Sequence, residues 1–221
     1  MRILIFGASG TAGSGVLNAS LAAPIVKEVR VIIRRPLSIT NDKVRVFLHE
    51  DYLDYAAVAA AFVGVNACFY CLGISVTQVS GEPEYRRITH DFALAAAHLL
   101  KLHSPHFISG QGTGLDSRFM WARVKAETER DLQAITNAVC WRPAYIDGEL
   151  SGSKPQRYQV LQPLFRLLKP FRRLYVHGED IGRAMLQATT ENIRGRVIEN
   201  AETRTMADRS KTQPGAETRT E

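Results

Sequence analysis

Apolar positions along the chain alternate between two rhythms. Short unbroken runs at Ile3 to Phe6, Val29 to Ile33 and Ala67 to Leu72 predict strands buried on both faces of a parallel sheet. Val44, Val46 and Leu48 alternate with Arg45, Phe47 and His49 and predict a third strand; Phe107–Ile108 and Val139 to Ile146 supply a fifth and a sixth. Between them lie stretches of helical character. These are Val16 to Ala23, stopped by Pro24, and Ala56 to Phe62, closed by Gly64. Glu84 to Leu102 places Ile88, Phe92, Ala95 and Leu99 on one side, and Arg118 to Ile135 does so with Trp121, Val124, Thr128 and Leu132. Leu174 to Val176, Gly178 to Thr190 and Arg196 to Ile198 repeat strand, helix and strand. The alternation predicts an α/β fold, a doubly wound parallel sheet with right-handed crossovers. It forms a single domain over 1–200 with a small C-terminal substrate-side extension. From Ala201 the chain is polar and repeats AETRT at Ala201 to Thr205 and Ala216 to Thr220, so 201–221 is expected to be a disordered tail.

The first strand runs directly into Gly7, Gly10 and Gly13, and a helix follows. Strand, glycine turn and helix make the opening unit of a Rossmann-type dinucleotide site. Gly7 permits the tight turn, Gly10 lets backbone approach a pyrophosphate, and Gly13 lets the helix pack close to the sheet. Gly7, Ser9, Gly10, Thr11, Ala12 and Gly13 are therefore the expected phosphate cradle, at a helix end whose N–H groups favour anions. A glycine turn that binds nothing has the same spacing, so the context matters. The second strand ends in Arg34, Arg35 and Pro36, where an NAD-binding chain would carry an acidic residue for the ribose. Arginine suits a 2′-phosphate, which predicts NADP(H) in preference to NAD(H); a solvated strand end is the plainer account of either arginine. Asp51 and Tyr52 end the third strand beside the expected adenine, although Asp51 equally suits a turn. Gly73 ends the fourth strand, on the nicotinamide side of the cleft.

Composition narrows the remaining possibilities. The chain has 221 residues, 45% of them hydrophobic, enough for one sizeable core. No run of about 18 apolar residues predicts a membrane span, and no signal-peptide pattern is present. Cys68, Cys71 and Cys140 lie in apolar runs, and Cys68 and Cys71 fall on opposite faces of one strand, so a redox dithiol is not expected. Reduced cysteines point to the cytoplasm. The formal net charge of +6 suits an anionic cofactor and shows no nucleic-acid pattern. His98, His103 and His106 lack the carboxylate or cysteine that would complete a metal site, so no metal is expected. Gln156 to Lys169 has a cationic side and reads as a lid over the cleft. A packed helix with a solvated face is a second account, and a membrane-surface helix a third, which Pro163 and Pro170 oppose. The long helices could pair subunits into a homodimer or merely cover the sheet.

GASGTAG, the arginine-ended second strand, Ser109, Lys125 and WRPAYIDG together resemble the atypical short-chain dehydrogenase/reductases. Within these, the chain is most similar to the small group that includes the oxidoreductase-like Tat-interacting protein. The resemblance covers residues 1 to 200 or so. It implies hydride transfer to a small-molecule substrate, with Ser109 orienting a carbonyl, Lys125 holding the nicotinamide ribose, and Pro143 and Ala144 against the nicotinamide. Active members use Tyr-x-x-x-Lys, in which the phenol exchanges a proton with the substrate oxygen. Here Trp121 holds that position, and its indole N–H cannot serve as a proton donor at neutral pH. Tyr145 and His177, at strand ends, are substitute acids, and a quinone-like acceptor would need none. The catalytic candidates are accordingly Ser109, Lys125 and Trp121. A non-catalytic NADP(H)-binding regulator with a protein partner is the alternative, and a sugar-nucleotide epimerase a weaker third.

Overall fold

The computed structural model describes residues 1–36, 39–100, 105–148 and 167–212. Its main sheet has seven parallel strands: β1 (Arg2–Phe6), β2 (Glu28–Ile33), β3 (Val44–Leu48), β4 (Ala67–Tyr70), β5 (Pro105–Ile108), β6 (Val139–Arg142) and β9 (Val197–Glu199). They lie in the order β3-β2-β1-β4-β5-β6-β9. The order reverses between β1 and β4, so a crevice opens there beyond the carboxyl ends of the strands. β7 (Tyr145–Asp147) and β8 (Tyr175–His177) form a separate parallel pair. This is the doubly wound Rossmann-type architecture that the apolar pattern predicts.

The strands alternate between two cores, one on each side of the sheet. Ile3 and Ile5 of β1 face α1 (Thr11–Ala22), α5 (Gly178–Thr190) and α6 (Asn200–Thr212), whereas Leu4 and Phe6 face Tyr52, Tyr55, α3 (Phe92–Leu99) and the buried side of α4 (Met120–Thr136). Cys71 belongs to the first core and Cys68 to the second, and burial pushes both thiols up, so neither is a thiolate. Among the described residues no cluster of His, Cys, Asp or Glu could hold a metal ion, and no helix is long and apolar enough to cross a membrane.

Several elements differ from expectation for local reasons. The expected strand Val139 to Ile146 is cut at Pro143, which has no N–H for the ladder, so β7 leaves the main sheet. Ala56–Ala61 is a 3₁₀ helix, not an α-helix. The helix expected over Glu84 to Leu102 starts at Glu82 and is interrupted by a π turn at Arg87–Asp91 between α2 (Glu82–Arg86) and α3. The disordered tail is corrected over 201–212. α6 continues straight from β9, and Thr203, Met206 and Ala207 are buried against the first core. The lid expected over Gln156 to Lys169 falls mostly outside the described residues, as do 213–221.

The histidines part ways. His98 is exposed on α3, His103 lies outside the described residues, and His106 is fully buried in β5. His106 Nδ1 accepts the Trp141 indole N–H at 3.1 Å, and its Nε2 meets Thr189 Oγ1 at 3.2 Å. Thr189 already donates to the Met185 carbonyl, so the ring is the donor in that contact and is neutral. Burial lowers its pKa to about 3. Below the ordinary histidine pKa the unfolded chain takes a proton that the folded chain refuses. Stability should therefore fall by about 1.4 kcal/mol per pH unit from this group as pH drops from 6.5 toward 4. Urea unfolding over that range should show a flatter slope in His106→Gln.

Candidate functional site

The glycine turn ends β1 at the crevice. Gly7 has φ +71°, a left-handed conformation that a side chain would strain. The Gly10 N–H donates to the Gly7 carbonyl at 2.9 Å. A Cβ on Gly13 would stand 2.0 Å from that same carbonyl oxygen, so only glycine lets α1 lie this close to the backbone that leaves β1. α1 begins at Thr11 with no side-chain cap and no acidic residue in its first turn. Its positive end thus carries no opposing charge of its own. Ser9 is exposed, Thr11 half-buried, and Ala12 buried.

Next in sheet order, Arg34 and Arg35 are exposed just past β2. The His49 N–H donates to the Ile33 carbonyl, which brings the chain after β3 alongside. Asp51 is exposed, and its Oδ1 accepts the Leu53 N–H at 3.0 Å, a turn-forming role. Tyr52 departs from expectation. It is 2% exposed and its ring stacks on Phe92 at 5.5 Å, within a cluster with Phe6, His49 and Tyr55. It is a core aromatic with no face left for an adenine. Burial pushes its hydroxyl pKa up, and the nearby Arg34 charge pulls it down. Gly73, beyond β4, is exposed with open space where a Cβ would be.

On the other side of the crevice the structure brings Ser109, Trp121 and Lys125 together. α4 presents Trp121 and Lys125 one turn apart. A Cβ on Gly110 would meet Trp121 and Lys125 Nζ, each at 3.7 Å. Lys125 Nζ donates to the Ser109 carbonyl at 2.6 Å, and burial lowers its pKa to about 8 against an upward pull from Glu129. Ser109 is buried. Its Oγ lies 3.1 Å from Thr113 Oγ1, whose own hydrogen goes to the Gly110 carbonyl at 2.8 Å. Ser109 must then be the donor to Thr113, which leaves its Oγ only acceptor capacity.

Pro143 is buried and its carbonyl accepts the Gln111 N–H at 2.9 Å, which ties the β6–β7 turn to the Ser109 loop. The Ala144 N–H goes to Asn200 Oδ1 at 2.9 Å. Tyr145 lies beside Tyr175, with ring centroids 6.1 Å apart. His177 caps α5, with Nδ1 accepting the Glu179 N–H. The adjoining Gly178 lies against the Thr11 carbonyl, which puts His177 beside the first turn of α1. Thr113, Glu129 and Asn200 escaped the sequence reading. Glu129 shows as the i+4 neighbour of Lys125, but a threonine in a loop and an asparagine after a short strand carry no sequence signal.

No family model matches the chain. It is 29% identical over 199 residues to "Protein FMP52, mitochondrial" of Saccharomyces cerevisiae, covering 83% of this chain and 85% of that protein. Relatives from Eremothecium gossypii and Chaetomium globosum carry the same name. Among solved structures, an oxidoreductase of the short chain dehydrogenase/reductase family from Burkholderia thailandensis superposes with TM-score 0.69 at 14% identity, over 96% of this chain and 97% of that one. MoeE5 in complex with UDP-glucuronic acid and NAD gives 0.67 at 16%, over 90% of this chain and 75% of that one. The likeness shows a shared doubly wound, Rossmann-type fold. The relatives' name is not that of the group which the sequence resembles. Their mitochondrial designation also overturns the expectation of a cytoplasmic protein. That expectation rested on reduced cysteines, and thiols buried in a core stay reduced in either compartment.

Proposed function

We propose that this protein binds a nicotinamide dinucleotide, NADP(H) in preference to NAD(H), and reduces a small carbonyl or quinone-like acceptor in the mitochondrion. The observation that carries this is the convergence of Ser109, Trp121 and Lys125 across the sheet's switch point from a glycine turn and an open helix N-terminus. The residues present suit such a cofactor. The turn from Gly7 to Gly13, with Ser9, Thr11 and Ala12, would hold the pyrophosphate. Arg34 and Arg35 would meet a 2′-phosphate, and Asp51 would accept from the adenine amino group. Gly73, Pro143 and Ala144 would lie against the nicotinamide, and Lys125 would donate to its ribose. When bound, the reduced cofactor supplies a hydride. Trp121 walls the acceptor site without giving a proton, so protonation of the product falls to water. An acceptor whose product is a stabilised anion fits that best.

The test is a fluorescence titration with NADPH and NADH. Wild type should prefer NADPH. Arg34→Ala should weaken NADPH by about tenfold or more, since a charge-assisted hydrogen bond contributes roughly 1.5–3 kcal/mol, and should leave NADH unchanged. Failure of both nucleotides to bind would sink the proposal. A second reading has support of its own. Trp121 and the commitment of the Ser109 hydroxyl to Thr113 both favour a regulator that binds the nucleotide without turning over a substrate. NADPH binding with no oxidation by any aldehyde, ketone or quinone would favour it.

A further inference from the structure

We infer that Asn200 is a positioning residue for the nicotinamide end of the site, acting through the Pro143–Ala144 turn. The inference rests on the nucleotide reading above. Asn200 is 1% exposed at the junction of β9 and α6. All three of its hydrogen bonds go to backbone. Oδ1 accepts the Ala144 N–H at 2.9 Å, and Nδ2 donates to the carbonyls of Arg172 at 2.7 Å and Tyr175 at 3.1 Å. One side chain therefore ties together the starts of β7 and β8, which pair in parallel from Tyr145 and Tyr175. At their far ends the same two strands rest on α1: Cβ atoms on Gly148 and Gly178 would come within 2.8 and 3.0 Å of the Thr11 carbonyl. The small sheet thus spans from the first turn of α1 to the Pro143–Ala144 turn, and Asn200 fixes the second of these.

The geometry is specific to an amide. Ala144 needs an acceptor, while Arg172 and Tyr175 each need a donor, and no other side chain of this size offers one acceptor and two donors. Since Pro143 breaks the ladder of β6, its turn has no sheet neighbour to fix it. It is held by the Gln111 N–H on one side and Asn200 on the other. Loosening the second hold should let the turn shift by a fraction of an ångström without disturbing the pyrophosphate cradle.

The test titrates wild type, Asn200→Ala and Asn200→Asp with NADPH and with 2′-phospho-ADP-ribose, which lacks only the nicotinamide. Asn200→Ala should weaken NADPH about three- to tenfold, the range for one lost hydrogen bond, with 2′-phospho-ADP-ribose unchanged. Any shift in NADPH emission that wild type produces should shrink with it. Asn200→Asp keeps the acceptor for Ala144 but sets a carboxylate oxygen against the Arg172 and Tyr175 carbonyls, so it should recover part of the loss only as pH falls and the carboxyl takes a proton. Equal weakening of both ligands, or binding of neither by the variants, would assign Asn200 to the fold as a whole and overturn the inference alone. Wild type binding neither ligand would overturn the nucleotide reading, and this inference with it.

Discussion

Replacing Trp121 with tyrosine should raise NADPH-dependent reduction of a simple aldehyde or ketone by about 10²- to 10⁴-fold, the usual contribution of a positioned general acid. The position is the right one. Trp121 stands one helical turn before Lys125, and both reach the same side of Gly110. A phenol there would lie near an ammonium, which stabilises the phenolate and brings the hydroxyl pKa down toward the working range. The gain should fall toward the lower end, because the Ser109 hydroxyl donates to Thr113 and is not free to donate to a carbonyl. The pH dependence follows from Lys125. Its pKa of about 8 means that the ammonium is present below that pH and lost above it. Activity of Trp121→Tyr should therefore decline as pH rises through 8, and a Trp121→Tyr/Lys125→Met double variant should lose both the gain and the decline. A folded, NADPH-binding Trp121→Tyr that reduces nothing would mean that the cleft was not built for carbonyl chemistry, and the regulator reading would replace the reductase one.

What could be read from the amino-acid sequence divides along a physical line. Features that depend on local backbone chemistry were legible. Gly7 to Gly13 sit where a strand must turn sharply into a helix, and the buried runs from Ile3 and Ala67 have no polar side to expose. Features that depend on which partner a side chain finds were not. Tyr52 follows a strand end in sequence, as an adenine neighbour would, but the aromatic side chains of Phe6, Tyr55 and Phe92 draw it inward. Pro143 was visible, yet its effect on the strand could be missed because Tyr145 to Asp147 resumes extended backbone immediately. α6 has the composition of a tail because two apolar side chains, Met206 and Ala207, suffice to seat it once β9 delivers it to the core. Asn200 stands at that same junction, so misreading the helix also hid the residue that holds Ala144. The glycine turn, where backbone dominates, is therefore more legible in the sequence than the Pro143–Ala144 turn, where long-range side-chain contacts do.

Arg142→Met should cost about 3–5 kcal/mol of stability, more than any surface ion pair would explain. Glu129, on the inner face of α4, has a side chain only 4% exposed, and the Arg142 guanidinium grips it with Nε and Nη2 at 3.0 and 2.6 Å. The fork satisfies both oxygens of the buried carboxylate, while the partly exposed guanidinium also reaches Glu199 at 3.3 Å. Removing the arginine strands a buried charge, whereas replacing both partners, as in Glu129→Leu/Arg142→Met, should be close to neutral. The sign of the pH dependence separates this from a packing defect. An unpartnered buried carboxylate has a folded pKa above its unfolded value, so its penalty is full at neutral pH and shrinks as pH falls through that raised pKa. The loss in urea midpoint of Arg142→Met should thus shrink as pH falls, while a cavity would cost the same at every pH. A loss below about 1 kcal/mol at pH 7 would show that the pair behaves as an exposed one. The pair also reaches into the site. Glu129 raises the Lys125 pKa against the pull of burial, so Glu129→Gln should move the Lys125 titration below 8 and weaken NADPH binding at neutral pH. The ion pair and the ammonium lie one turn apart on α4 and act as one electrostatic unit, so a substitution at Glu129 should change how the ribose is held.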